Sequence, residues 1–225
     1  MKEISTQRPL SELVYDAVVD AICEGSLGSG ERLTQDGVAE RLNVSRLPVG
    51  QALQRLKAEG FLVEAGRRGL KVAPLEPGNV REIYEVRAGV DQVAAGLAAR
   101  RVGAGARTRG ERILRRGRAA AEAHDVAELV AADSEFHRFI YELAGNGVMQ
   151  DLMSGQWNHI RRIMLNILGE RRNQEQVWHE HSAILDAICD GDADTAERLA
   201  RQHVEKASIW LQEAIAEGTT VAQQG

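Results

Sequence analysis

Apolar residues recur every three or four positions along most of this chain, and that period predicts helices. In the first 60 residues it marks three of them, over 10–24, about 34–42 and about 45–59. Two short apolar runs follow, Phe61–Glu64 and Leu70–Ala73, and predict two strands joined in a hairpin. The pattern therefore predicts a small N-terminal domain of three helices and a hairpin.

Only the helical period continues beyond a linker with two prolines and a glycine at 74–78. It predicts six amphipathic helices with short connections, at 79–102, 106–123, 126–145, 148–168, 174–190 and 192–216. We therefore expect a mainly α protein, with the helix-and-hairpin domain over 1–76 and an all-α bundle of six or seven helices over 77–217. Residues 218–225 are expected to form a flexible tail.

The composition, 44% hydrophobic and 27% charged among 225 residues, is typical of a globular protein. No apolar run reaches the roughly 18 residues that a membrane span needs, and the first residues lack the apolar core of a signal peptide. Cys23 and Cys189 stand far apart in helical stretches and are expected to be small buried hydrophobes. We therefore expect a cytoplasmic protein with no membrane partner.

Charge is distributed unevenly, although the whole chain carries −5. Residues 41–71 hold seven cations and two anions, a local excess of five positive charges, whereas residues 78–225 hold eighteen cations and twenty-two anions, a net of −4. Contact with phosphate needs only local positive charge. The basic segment therefore favours a nucleic-acid partner, although a solvated helix face would show a similar excess.

The second and third helices, separated by a tight turn at Asn43-Val44 and followed by a hairpin, have the order of a winged helix-turn-helix. In that arrangement the third helix enters the major groove of DNA, and a basic hairpin tip touches the backbone or the minor groove. The candidate contacts lie on the third helix and at the hairpin tip: Ser45, Arg46, Gln51, Arg55, Arg67 and Arg68. Modules of this kind also bind proteins, so that alternative stays open.

Residues 24–75 resemble the DNA-binding domain of the GntR superfamily of bacterial transcription regulators. The shared residues keep fixed spacings: G-x-L-x-x-G-x-x-L, L-x-V-S-R-x-P-V, A-L-x-x-L-x-x-E-G and R-G-x-x-V. The resemblance implies binding to a double-stranded DNA operator. This chain departs from the family at Leu47, Gly50 and Gln51, where Thr, Arg and Glu are common. Since the missing Arg is a usual DNA contact, the family's usual operator is not expected here.

Three helices of the predicted bundle each carry a histidine on the face expected to be buried. Asp133 and His137 stand four positions apart and share one face of their helix, and His181 and His203 lie on the apolar stripes of two later helices. Burying four polar groups without partners is costly, and one divalent ion satisfies them together. Three imidazoles and a carboxylate suit zinc, nickel, manganese or iron, and leave coordination positions for water or a ligand.

Residues 83–216 are similar to the FCD domain, the effector-binding domain of the FadR branch of GntR regulators. The similarity rests on Y-E-V-R at 84–87, D-x-x-F-H at 133–137, G-N at 145–146, E-H-x-x-I-L at 180–185 and the histidine at 203. In metal-containing members an Asp and three His at these positions bind the metal, and a small carboxylate effector completes its coordination. The resemblance therefore implies Asp133, His137, His181 and His203 as metal ligands. A count of six helices favours the VanR-like subgroup.

Arg87 lies on the apolar stripe of its helix, so its guanidinium is predicted to point into the bundle. A buried guanidinium prefers a bidentate carboxylate. The resemblance favours the carboxylate of the effector, and an ion pair with Asp91, four residues on, is the alternative. Asn166 is a second candidate for the lining of the effector site.

We therefore expect a homodimeric, ligand-responsive transcription regulator and not an enzyme. A two-fold pair of DNA-binding domains reads a palindrome and multiplies affinity, and the bundle senses a small organic acid through its metal. The alternative is a metal-dependent hydrolase with a DNA- or partner-binding appendage. The sequence shows no further general base near the four ligands, which weakens that alternative.

Overall fold

The computed structural model describes residues 8–66, 69–167 and 174–217 of the chain. It divides into two compact units between Pro74 and Leu75. The described residues are mainly helical, with one small antiparallel sheet in the first unit. The predicted fold class is therefore confirmed.

The described part of the first unit contains three helices and three strands: α1 (Leu10–Cys23), β1 (Arg32–Leu33), α2 (Gln35–Leu42), α3 (Arg46–Ala58), β2 (Leu62–Glu64) and β3 (Leu70–Val72). The sheet has the order β1-β3-β2, with Leu33 opposite Leu70 and Leu62 opposite Val72. The hairpin of β2 and β3 was predicted. Strand β1 was not, because two residues are too few to show an alternating pattern.

Local signals mark the start and end of α2 and the start of α3. The Thr34 side chain accepts the backbone N–H of Gly37 at 3.1 Å and so begins α2. Asn43 ends α2 with a left-handed φ of 51°, a conformation that asparagine tolerates better than most residues. Helix α3 then begins at Arg46 and buries Val49, Leu53 and Leu56 against the rest of the unit. Its opposite face is left exposed.

The second unit has seven helices in its described residues: α4 (Pro77–Arg101), α5 (Ala106–Ala123), α6 (Val126–Ala144), α7 (Gly147–Ser154), α8 (Gln156–Ile167), α9 (Gln174–Cys189) and α10 (Ala193–Ala216). The single helix expected over 148–168 is wrong. It is interrupted at Gly155, which follows Ser154, a residue pair that commonly breaks helical regularity. A count of seven helices removes the argument for the VanR-like subgroup, which rested on six.

Helix α10 runs along α4, and α6 and α9 pack beside them around a continuous apolar core. The approach of α5 to α9 depends on Gly117, because a Cβ atom there would lie 2.0 Å from the ring of Trp178. Among the described residues, no helix combines the length and the apolar character that crossing a membrane would need.

Candidate functional site

Four polar side chains from three helices converge inside the second unit. Asp133 and His137 come from α6, His181 from α9 and His203 from α10, and all four are buried. Each offers a ligand atom, and the four atoms lie within 4.8 Å of one another. The structure therefore brings together the four residues that the sequence predicted as metal ligands.

Aromatic rings pack against the residues of this cluster. Phe136 stacks on the His181 ring with 4.4 Å between centroids, and Trp178 meets the same ring edge-on at 4.8 Å. His137 and His203 also stack, at 5.5 Å. These apolar walls limit water and keep the local dielectric low, which strengthens the interaction of the cluster with any charge placed among its members.

Two carboxylates outside the cluster orient its histidines. His137 Nδ1 lies 3.0 Å from Asp91 Oδ2, and His203 Nδ1 lies 2.8 Å from Glu180 Oε2. A carboxylate at Nδ1 holds the proton on that atom and leaves the Nε2 lone pair for another partner, the usual arrangement behind a metal-bound histidine. The sequence analysis assigned neither carboxylate this role.

The Nε2 atoms face one another and the Asp133 carboxylate. His181 Nε2 lies 3.1 Å from His203 Nε2 and 3.5 Å from Asp133 Oδ1. Within the described residues, His137 Nε2 and Asp133 Oδ2 have no hydrogen-bond partner. Two imidazole lone pairs at 3.1 Å repel each other unless a proton or a cation lies between them. The donor set therefore fits a divalent ion, which would take up these unpartnered atoms together.

The protonation states of the buried histidines favour binding of a metal ion. Burial lowers the pKa of His137, with Arg87 adding to the effect, and burial lowers the pKa of His181 well below its usual value. A low pKa keeps both imidazoles neutral, the form that binds metals. The hydrogen bond from His203 lowers the pKa of Glu180 to about 2, so this carboxyl group is an ion at neutral pH.

Asp91 is ionised although it is buried. Burial alone would raise its pKa, but the approach of His137 Nδ1 to its carboxylate, together with Arg87, outweighs that effect and holds the pKa below its usual value. Tyr141 also donates its hydroxyl to Asp91. Counted formally, Arg87, Asp91 and Asp133 bring one positive and two negative charges into the buried group, a net of −1. That negative charge favours a cation at the centre of the cluster.

Arg87 lies as the sequence predicted, with its side chain buried in the bundle. Its Nε atom is 3.4 Å from Asp91 Oδ2, and its Nη2 atom is 3.9 Å from Asp133 Oδ2. The intrahelical pair with Asp91 is thus present, and the same guanidinium also faces a member of the ligand cluster. Arg87 therefore connects the cluster with the neighbouring cavity.

The cavity beside the cluster measures about 410 Å³. Arg87, Asp133 and His203 contribute to its polar wall. Its other described lining residues are Tyr84, Leu129, Met164, Gln174, Gln176, Val177, Trp178, Glu180, Lys206, Ala207, Trp210 and Leu211. The sequence analysis placed His203 on an apolar stripe but did not predict the cavity, since periodicity does not distinguish a core position from a cavity wall.

Asn166 is not among the described residues of that wall. Its Nδ2 atom donates a hydrogen bond to the backbone oxygen of Arg162, one helical turn earlier, at 2.8 Å. This local contact, which sequence alone does not reveal, satisfies one of the amide donors. The structure gives the predicted role of Asn166 in effector binding no support.

The predicted DNA-contacting residues of α3 are exposed. Ser45 occupies the N-cap position without a side-chain hydrogen bond to the helix, and Arg46 and Gln51 follow it on the exposed side. Arg46 Nε pairs with Asp36 Oδ1 at 2.9 Å, an exposed ion pair of small energetic value. The two arginines predicted at the hairpin tip, Arg67 and Arg68, lie outside the described residues.

Arg55 has partners within its own unit. Its guanidinium lies 3.9 Å from the centre of the Tyr15 ring, and its Nε atom is 2.8 Å from Glu59 Oε1. Tyr15 in turn donates its hydroxyl to Glu59. These contacts join α1 to α3, so packing accounts for Arg55 without a contact to DNA.

Comparison with known proteins matches each of the two units to a known family. Residues 10–72 match the gntR family of bacterial regulatory proteins, and residues 82–206 match the FCD domain. The uncharacterized HTH-type transcriptional regulator YdhC of Bacillus subtilis is 25% identical over 207 residues, covering 91% of this chain and 92% of its own. The HTH-type transcriptional repressor RspR of Escherichia coli is 23% identical over 206 residues, covering 92% of this chain and 90% of its own.

Solved structures share the fold. Escherichia coli McbR/YncC superposes with a TM-score of 0.78 at 19% identity, covering 93% of this chain and all of its own. A putative GntR transcriptional regulator from Rhodococcus sp. RHA1 gives 0.75 at 24% identity, over 91% of this chain and 98% of its own. The family match and the names of the curated relatives point to regulators and not to enzymes, which disfavours the hydrolase alternative. The chain belongs to the GntR family of DNA-binding transcription regulators, in the FadR-like branch whose second domain is an FCD effector-binding domain.

Proposed function

We propose that this protein is a homodimeric regulator whose affinity for a palindromic operator changes when a small carboxylate binds beside a metal ion in the FCD domain. The observation that carries the proposal is the buried group of four ligand atoms within 4.8 Å of one another, adjoining a cavity of about 410 Å³. A metal site that opens on a cavity is suited to ligand binding, whereas a purely structural site is closed by protein ligands.

Asp133, His137, His181 and His203 would hold the ion, with Asp91 and Glu180 orienting two of the imidazoles. When bound, a divalent ion supplies a positive centre with open coordination positions that attract a carboxylate. Zinc, nickel, manganese and iron all suit this donor set.

Charge supports an anionic effector. The buried group carries −1 without the ion, and two positive charges would bring it to +1. One carboxylate then neutralises it, in a site where an unbalanced charge is costly. Arg87 lines the cavity on the same side and offers a second positive group. The apolar side of the cavity, with Trp178, Trp210 and Leu211, would receive the rest of the acid.

A second copy of the chain would cover an exposed apolar strip on the FCD domain. Val86 and Val93 lie seven residues apart on one face of α4, and each is about half exposed; Ile209, on the neighbouring helix α10, is also exposed. A two-fold dimer through this strip would present two winged domains to the two halves of a palindrome. In sedimentation experiments, we expect the wild type to be a dimer and the V86E/V93E variant to be a monomer.

Binding of the acid changes DNA affinity only if the two arrangements of the dimer differ in their affinity for the acid. Helix α4 carries Arg87 and begins at Pro77, directly after the first unit, so it is the proposed route of coupling. RspR is named as a repressor. We therefore infer that this chain represses in the cytoplasm and is released from DNA by its effector.

The test uses the full chain loaded with one divalent ion and a duplex obtained by selection from a randomised library. A panel of carboxylic acids is screened for thermal stabilisation, and each hit is tested for its effect on duplex binding. At least one acid should change DNA affinity by about 5- to 150-fold, the usual range of such coupling. Arg87→Lys, which keeps the charge but loses the planar fork, should retain metal and DNA binding and weaken the response.

Arg81→Lys is the matched control, since Arg81 is exposed on the same helix. It should respond as the wild type does. If the acid changes the DNA affinity of Arg87→Lys as it does that of the wild type, Arg87 serves only as the ion-pair partner of Asp91. Elemental analysis that finds no metal, with no acid effective, would overturn the proposal.

A further inference from the structure

A large apolar side chain is exposed where the DNA-facing surface of α3 begins. Leu47 follows Arg46 in the first turn of the helix, and 72% of its surface is accessible. The other exposed leucines of the described first unit are less accessible, between 37% and 47%. Its burial would be favourable where an apolar partner outside the unit covers it.

The residues that share the exposed side of α3 with Leu47 are uncharged, and Arg46 and Arg55 lie at the edges of that side. Gly50, Gln51 and Gln54 follow it at three, four and seven positions, the spacing of one side of a helix. Arg46 is paired with Asp36, and Arg55 is held by Tyr15 and Glu59. Phosphate contacts rely mostly on cations and polar donors. A surface of one leucine, one glycine and two amides is therefore better suited to the edges of bases.

The major groove offers one exposed apolar group, the C5-methyl of thymine. We propose that Leu47 reads thymine, by packing its side chain against the methyl group in each half-site of the operator. The proposal rests on the DNA binding of this family and on α3 as the helix that enters the groove. Leu47 is thus a specificity residue of this chain, at a position where the family commonly has Thr.

The experiment uses the full-length protein and the duplex that it selects from a randomised library. Each thymine of that duplex is replaced in turn by deoxyuridine, which lacks only the methyl group. We expect one or two positions per half-site where the replacement weakens binding about fourfold, the value for one buried methyl group. Leu47→Ala should lose this sensitivity at the same positions and keep the other base preferences.

Leu152→Ala is the control, because Leu152 is also an exposed helical leucine, at 57%, but lies in the second unit. It should reproduce the wild-type pattern. The inference is overturned if no thymine is sensitive, if Leu47→Ala stays sensitive, or if Leu47→Ala weakens every duplex equally. Failure to select any duplex would instead overturn the assignment of DNA binding to α3, and the inference with it.

Discussion

The metal-ligand cluster of the second unit and the exposed face of α3 satisfy their polar groups in opposite ways. At the cluster, buried histidines depend on buried or half-buried carboxylates: Asp91 lies against His137, and Glu180 lies against His203. On α3, the side chains reach water, and the Arg46–Asp36 pair can separate at little cost. We therefore expect substitutions in the cluster to change folding and binding together, and substitutions on the exposed face of α3 to change binding alone.

The largest effect is expected from His137→Ala. It removes a proposed ligand and empties a buried site between Phe136, Trp157 and His203, which should lower the free energy of unfolding by about 2–5 kcal/mol. Elemental analysis should also show that metal content falls from about one ion per chain. His179→Ala removes an exposed histidine of α9 and is the control. Near-normal stability of His137→Ala would contradict the interdependence of the cluster.

A smaller loss is expected from Gly117→Ala. The added Cβ would collide with the ring of Trp178, which meets the His181 imidazole edge-on. Overpacking of this kind costs about 1–3 kcal/mol, measurable by denaturant unfolding, and should lower metal affinity as well. Gly147→Ala is the control, because its Cβ meets no atom within 4 Å, and alanine there should stabilise α7 slightly. If the two variants have the same stability and metal affinity, the packing at Gly117 does not support the cluster.

The smallest effect on folding is expected from Arg46→Ala. Its side chain is exposed, so stability should change by less than about 0.5 kcal/mol. DNA affinity should nevertheless fall by about 1–3 kcal/mol if the arginine reads a base, as measured by fluorescence anisotropy on the selected duplex. Arg81→Ala removes an exposed arginine of α4 and should leave affinity unchanged. A matching loss of stability in Arg46→Ala would break the contrast between the two regions.

The sequence predicted those features of the site that follow from the spacing of residues along one helix. Asp133 and His137 share a face because they are four residues apart, and the apolar stripes around His181 and His203 point both residues inward. It did not predict that Glu180 faces His203 or that Asp91 faces His137, because these contacts cross between helices and have no fixed spacing along the chain. Strand β1 was missed because the register with β3, and not its own two residues, defines it.

Gly50 has a consequence for how the operator preference of this chain could evolve. Gln35 Nε2 donates to the backbone oxygen of Arg46 at 2.5 Å, and a Cβ at Gly50 would lie 2.7 Å from that nitrogen. An arginine introduced at position 50, where the family commonly has one, would therefore gain a cation but displace the amide that holds the start of α3. Substitutions at positions 35 and 50 should thus be coupled in their effect on the start of α3.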